Sequence, residues 1–465
     1  MPTKFDEAFA KVQKLAAIFE SGKDRYPRGK KAKVASPCLP ESEYEGGFDA
    51  IVGNPPYDVM EKERGKSSWP HWFLSDYGKR KSNYNSALGG KLNLFRFFVV
   101  RMLELVRIEG RLGIIIPMAV LADISCSATR RHLLFNAQKI LADCFPQKDN
   151  ANRRVFQDAK LSTAIITGTK AKTIAPENAE IQVKVYPWNK FEDNFRECFL
   201  RYPDFSQLDP VNTPIPLVDA KQWDICRKLL GTKTVVRLGE VADFKVTRGE
   251  INQTIYREFI TGNSSHARLL KGVEVGRFSF NEKLQQGHRE WLDEKQFLKS
   301  NSVRACSSKR RIATQRITGV DERLRIVAAI MEPPAYFADS TNSITKMEES
   351  MYQLEYLLAL LNSQIFQWRF KLTSSNNNVA TNELESMPFR TIDFAKPADK
   401  SRHDRLVDLA EQMQAAKARL PLAKTERDRE FYTNKCATLD QQIDALVYEL
   451  YGLTDEEIKL VEGNA

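Results

Sequence analysis

Residues 48–57 read Phe-Asp-Ala-Ile-Val-Gly-Asn-Pro-Pro-Tyr, and this stretch decides the fold. Ala50-Ile51-Val52 is a short apolar run that stops abruptly at Gly53 and two prolines, the pattern of a parallel strand ending at one edge of a sheet. Ligands gather outside the carboxyl ends of strands in open α/β sheets, so Asn54 to Tyr57 mark the place to look for chemistry.

Working outward, the apolar positions Leu94, Phe95, Phe98, Val99, Met102, Leu105 and Val106 recur every three or four residues between Leu92 and Ile108. That spacing predicts a helix with one broad buried face, ended by Glu109-Gly110. Leu112 to Pro117 then reads as a second buried strand, Leu161 to Gly168 as a third and Ile181 to Tyr186 as a fourth. Strand, helix and strand in this order predict a crossover in an α/β sheet. Upstream, Phe9, Val12, Leu15, Ala16 and Phe19 predict a helix over 4–20, followed by a basic stretch over 25–33.

Beyond Pro216 the texture changes to short strands and loops rich in Arg and Lys, which predicts a separate α+β domain. One strong helix is expected over 351–371, broken by the polar run 373–378. Residues 404–420 and 429–451 predict a pair of helices, and Thr454-Asp455-Glu456-Glu457 a capping box that opens one more. The expected organisation is an N-terminal helix and basic linker over 1–45, an α/β unit over 46–215, an α+β domain over 216–398 and a helical hairpin over 399–465.

Seventy Lys and Arg against sixty Asp and Glu give a net charge of +10, which favours a polyanionic partner. The seven cysteines are scattered without a C-x-x-C pair or a histidine at ligand spacing, so neither a metal site nor a disulfide framework is expected. No apolar run approaches the length of a membrane span and the first residues lack a secretory pattern, so the expected location is the cytoplasm.

The chemistry of Asn-Pro-Pro-Tyr suits an exocyclic base amine. Such an amine is a poor nucleophile because its lone pair is delocalised into the ring. The Asn54 side-chain oxygen and the Pro55 carbonyl can each accept one amine hydrogen, which aims the developing lone pair at an electrophile placed in line. Acceptors fixed where positive charge develops act by electrostatic preorganisation, and the Pro55-Pro56 pair stiffens the loop that carries them. A base must leave the duplex to reach them and is then held by aromatic stacking. Tyr57 is the expected platform, and Phe156, in Arg153-Arg154-Val155-Phe156, the candidate for the opposite face. His71 and Trp72 have no Ser or Cys partner for acyl transfer, and no acidic pair followed by Glu-x-Lys suggests cleavage.

With these residues in hand, the chain resembles the adenine-specific DNA methyltransferases of the TaqI-like and fused Type IIG restriction–modification class. Phe48 to Tyr57 looks like their catalytic motif, Lys91 to Phe95 like the start of the following helix, and Gly110 to Pro117 like the next strand. Val155-Phe156 and Ser162-Thr163-Ala164 look like their later target-base motif. Leu357 to Gln367, Asn382 to Phe389 and Leu439 to Gly463 are similar to their C-terminal specificity region. The resemblance implies a partial Rossmann-like class I methyltransferase sheet, S-adenosylmethionine as methyl donor, and double-stranded DNA as substrate. It also implies a Phe-x-Gly-x-Gly cofactor loop and three further strands upstream, yet the residues before Asn54 contain no Gly-x-Gly. A truncated product, a split enzyme whose second subunit brings the cofactor-binding half-domain, and a chain that keeps only DNA recognition all fit this departure. Within the family, the strand at Ala50 to Val52 would then have an open edge.

Residues 238–390 are expected to read the DNA site. The candidate contacts are Arg248, Lys271, Arg277, Lys309, Arg310 and Arg311, arginines suiting guanine edges and lysines phosphates.

Overall fold

A computed structural model describes residues 47–60, 69–147, 150–284, 287–300, 307–318, 324–374 and 378–463. The helix expected over 4–20 and the basic stretch 25–33 lie outside the described residues. The chain divides into two units, residues 1–220 and 221–465.

The first unit is built on a six-stranded sheet. Its strands are β1 (Phe48–Gly53), β2 (Val106–Pro117), β3 (Ala137–Phe145), β4 (Thr163–Lys170), β5 (Glu180–Val185) and β6 (Arg196–Arg201), in the spatial order β1-β2-β4-β3-β5-β6. β1 runs parallel to β2, with Ile51 opposite Leu112 and Val52 opposite Gly113. β4 lies antiparallel to both β2 and β3, and β5 runs parallel to β3. The directions of β1, β2, β3 and β5 therefore agree, and their carboxyl ends share one edge of the sheet. The connections 54–58, 146–162 and 186–195 all emerge there.

Three helices flank these strands: α1 (Trp69–Arg80), α2 (Leu94–Leu105) and α3 (Ser127–Asn136). Asn93 caps α2 by accepting the Phe95 amide at 3.3 Å. This helix is buried on more than the single face its spacing predicts. Leu94, Phe97 and Val100 join Leu74, Tyr84 and Ala87 in a core of their own. Its end also differs from expectation: α2 stops at Leu105 and β2 starts at once. Glu109, at φ 63°, bends the strand rather than stopping the helix. Gly110 is required at that bend, because a Cβ there would lie 2.9 Å from the Phe48 carbonyl oxygen.

The exposure of β1 is unusual for so apolar a strand. Val52 is 87% and Phe48 39% exposed. Among the described residues no strand pairs with the far side of β1.

The second unit contains a four-stranded antiparallel sheet in the order Phe244–Arg248, Thr341–Lys346, Arg311–Gln315 and Ala328–Met331. A second small sheet joins Ile260–Thr261, Glu290–Leu292, Ala267–Leu270 and Tyr336–Phe337. The single helix expected over 351–371 is corrected to two, α4 (Leu354–Asn362) and α5 (Gln364–Thr373). Tertiary hydrogen bonds fix the break. The Asn362 side chain bridges the Ala328 backbone, its carbonyl accepts from Arg277, and Asp444 accepts the Gln364 amide at 2.8 Å. Asp444 belongs to α7 (Glu426–Tyr451), which packs with α6 (Pro397–Arg419) as the expected pair. Thr454 caps the last helix, α8 (Asp455–Glu462).

Candidate active site

Asn54 leaves the carboxyl end of β1 exposed, while Pro55 behind it is buried. Two restraints hold the loop in shape. The Asp58 carbonyl accepts the Leu94 amide at 3.1 Å, and Val59-Met60 pair antiparallel with Leu92-Asn93. The loop is thereby tied to the start of α2, which explains why the Lys91 to Phe95 stretch accompanies it.

Tyr57 is half-buried, and its hydroxyl donates to the Ile115 carbonyl of β2 at 3.0 Å. Asn54 Oδ1 lies 3.4 Å from the same hydroxyl. A phenol has one proton to give, and the shorter bond takes it, so Asn54 Oδ1 keeps its capacity to accept from elsewhere. Burial pushes the Tyr57 hydroxyl up to about 12. It stays protonated through the physiological range and cannot serve as a base there.

Phe156 reaches this loop from the connection between β3 and β4. Its ring centroid stands 6.1 Å from that of Tyr57 at an interplanar angle of 66°. The two aromatic residues picked from the sequence are therefore in contact, but edge to face. A flat base enters between them only when the rings part. Ser162 closes the base of this connection by donating to the Pro146 carbonyl at 2.6 Å, and its own carbonyl accepts the Met118 amide beyond β2. His71 and Trp72 belong to α1, and Trp72 is 55% exposed.

In the second unit the basic candidates separate into two groups. Arg311 is buried, paired with Glu250 at 2.7 Å, and stacked over Phe337 at 3.8 Å. Arg277 donates to the Asn362 carbonyl and pairs with Asp440. Lys271 is buried between the His288 carbonyl and Glu290. These three are corrected from surface contacts to internal bonds, since each would have to break its own pairing to meet a duplex. Arg248, Lys309 and Arg310 retain exposed side chains, although each has an acidic neighbour: Asp339, Glu348, and Glu332 with Glu355, respectively.

The described residues present an exposed carboxamide oxygen at Asn54 beside the half-buried Tyr57, and among them no complete holder for a cofactor is formed. Among the described residues, no strand pairs with the side of β1 away from β2, where a glycine-rich turn is expected. The resemblance to methyltransferases implies S-adenosylmethionine; the described residues alone do not fit it.

Comparison with known proteins follows the division of the fold. Residues 3–143 match the family described as Eco57I restriction-modification methylase, and residues 267–389 match the TaqI-like C-terminal specificity domain. Residues 3–143 are thus similar to a restriction–modification methylase and residues 267–389 to a TaqI-like specificity domain, the two parts that the sequence resembles. A protein of Methanocaldococcus jannaschii, named as a type II restriction enzyme and methyltransferase, is 22% identical over 94% of this chain and 35% of its own length. This chain spans about a third of that relative. Among solved structures, the Type IIL restriction-modification enzyme MmeI in complex with DNA superposes with a TM-score of 0.53 at 12% identity. That match covers 88% of this chain and 55% of MmeI, and it shows a shared fold. A DrdV–DNA complex matches 79% of this chain and 44% of its own at 10% identity and a TM-score of 0.43.

Proposed function

We propose that this chain carries the catalytic loop and the target-reading domain of a site-specific DNA methyltransferase of a restriction–modification system, acting on the N6 amine of adenine. The observation that carries this reading is the free acceptor at Asn54, exposed at the carboxyl end of β1. Beside it, Tyr57 is locked to Ile115 by its own hydroxyl. Asn54 Oδ1 and the Pro55 carbonyl accept the two amine hydrogens, and Tyr57 stacks on the extruded base. The match of residues 267–389 to a specificity domain supports duplex DNA as the partner of the second unit. S-adenosylmethionine would supply the methyl group, held by residues beyond those described.

Asn54→Ala tests the assignment. Transfer of tritium from S-adenosyl-[methyl-³H]methionine to unmethylated DNA is expected to fall by about 10²- to 10³-fold, the cost of one lost preorganised polar group. DNA affinity is expected to stay within about twofold. Parallel loss of binding would count against the role.

The open edge of β1 favours a second reading. An apolar strand this exposed is a pairing surface. On this reading the cofactor-binding strands come from another segment or a second subunit, and the chain alone recognises DNA without transferring methyl groups.

A further inference from the structure

The connection over 186–195 emerges at the same sheet edge as the catalytic loop but takes no part in the site described above. It is unusually well anchored for a connection. Tyr186 stacks on Phe145 at 5.2 Å, and Phe191 meets both rings edge-on at 5.5 and 5.3 Å. The Tyr186 hydroxyl donates to Asp143 Oδ1 at 3.0 Å, and its amide donates to the Cys144 carbonyl at 2.9 Å. Aromatic packing of this kind, fixed to the ends of β3 and β5, makes the start of the connection a rigid post.

From that post two neighbouring side chains reach the turn that precedes Phe156. The Asn189 carboxamide nitrogen donates to the Arg154 carbonyl at 2.9 Å and to the Asn152 carbonyl at 3.3 Å. Trp188 receives the Arg153 guanidinium over its ring at 4.1 Å. Arg154 closes the turn by donating to the Gln157 carbonyl at 2.9 Å. Three consecutive residues, 152–154, are thereby held from one side, two positions before the ring that faces Tyr57.

We propose that Trp188 and Asn189 are positioning residues, a clamp that holds the 151–157 turn so that Phe156 faces the catalytic loop. The role rests on the methyltransferase reading. The chemistry of the clamp is specific. A carboxamide carries two N–H donors on one nitrogen and can satisfy two carbonyls at once. An aspartate of the same shape would turn acceptors toward those carbonyls.

The test uses the full chain with Asn189→Ala and Asn189→Asp, read by hydrogen exchange and by methyl transfer. Exchange of the Arg153 and Arg154 amides, which bond within the turn, is expected to quicken roughly tenfold, the loss of two half-exposed hydrogen bonds. Exchange in β4 is expected to stay unchanged. The kcat for methyl transfer to unmethylated genomic DNA is expected to drop by about tenfold, with KM for DNA within about twofold. Unchanged exchange in the turn overturns the clamp. Faster exchange with an unchanged kcat overturns the positioning role. Should the Asn189 variants fail to fold, Trp188→Ala gives the same readouts from an exposed site. If the unaltered chain transfers no methyl group, the methyltransferase reading and the positioning role fall together, and exchange still decides whether the clamp exists.

Discussion

Removing only the Tyr57 hydroxyl separates the two jobs that this residue is assigned. In Tyr57→Phe the ring remains for stacking, and the bond to the Ile115 carbonyl at 3.0 Å is lost. A half-buried neutral hydrogen bond contributes about 0.5–1.5 kcal/mol net, which corresponds to a rate loss of roughly 2- to 13-fold if the loop must be ordered for transfer. Tyr57→Ala loses that bond and base stacking, worth about 1–3 kcal/mol; the edge contact with Phe156 has to part before a base enters and adds nothing to the rate loss. The low ends of the two ranges sum to about 1.5 kcal/mol, or at least about a 13-fold loss. The assay is the initial rate of tritiated methyl incorporation into unmethylated DNA at saturating S-adenosylmethionine. The pH profile adds a check of sign. Burial disfavours the phenolate and holds the hydroxyl near 12, so Tyr57 contributes no ionisation to the rate below about pH 10. If Tyr57→Phe is as damaging as Tyr57→Ala, or if Tyr57→Ala stays within about threefold of the unaltered chain, the stacking role is refuted.

Arg311→Ala breaks a buried pair and leaves Glu250 without its cation, so chemical denaturation is expected to show a loss of about 3–5 kcal/mol. Arg248→Ala, at an exposed pair, is expected to cost under about 1 kcal/mol and to lower the salt dependence of DNA binding by about one unit of slope. Burial raises the Asp444 carboxyl to about 6, so its folded form holds a proton more tightly than its unfolded form. Stability therefore falls as pH rises from about 4 through 6, and Asp444→Asn is expected to raise the melting temperature at pH 7.5 and to have no effect at pH 4. Titration of the chain with S-adenosylmethionine in a calorimeter separates the two readings of β1. Micromolar binding without a partner supports a complete pocket; its absence, with DNA binding retained, supports the chain that needs a second component.

Four of the six strands were legible because they are apolar runs with hard stops, whereas the central strand Ala137–Phe145 and the edge strand Arg196–Arg201 were missed. Ala50 to Val52 ends at two prolines, and Leu112 to Pro117 and Ile181 to Tyr186 need no partner to be recognised. The candidate loop was legible for the same reason, as the residues proposed to carry its chemistry are four in a row. What escaped reading depends on residues far apart in the chain. The break at Ser363 is made by Asn362 bonding to Ala328 and by Asp444 capping Gln364, 80 positions away. Arg277 and Arg311 look like surface cations until Asp440, 163 positions on, and Glu250, 61 positions back, fold against them. Asn189 carries no motif at all, and only its two bonds to a turn 35 and 37 positions earlier single it out.

The most direct measurement is a nucleoside analysis by mass spectrometry of unmethylated DNA after incubation with the chain and S-adenosylmethionine, in parallel with Asn54→Ala. The account predicts N6-methyladenine from the unaltered chain and none above background from the variant. N4-methylcytosine in its place, or equal N6-methyladenine from both proteins, would contradict it.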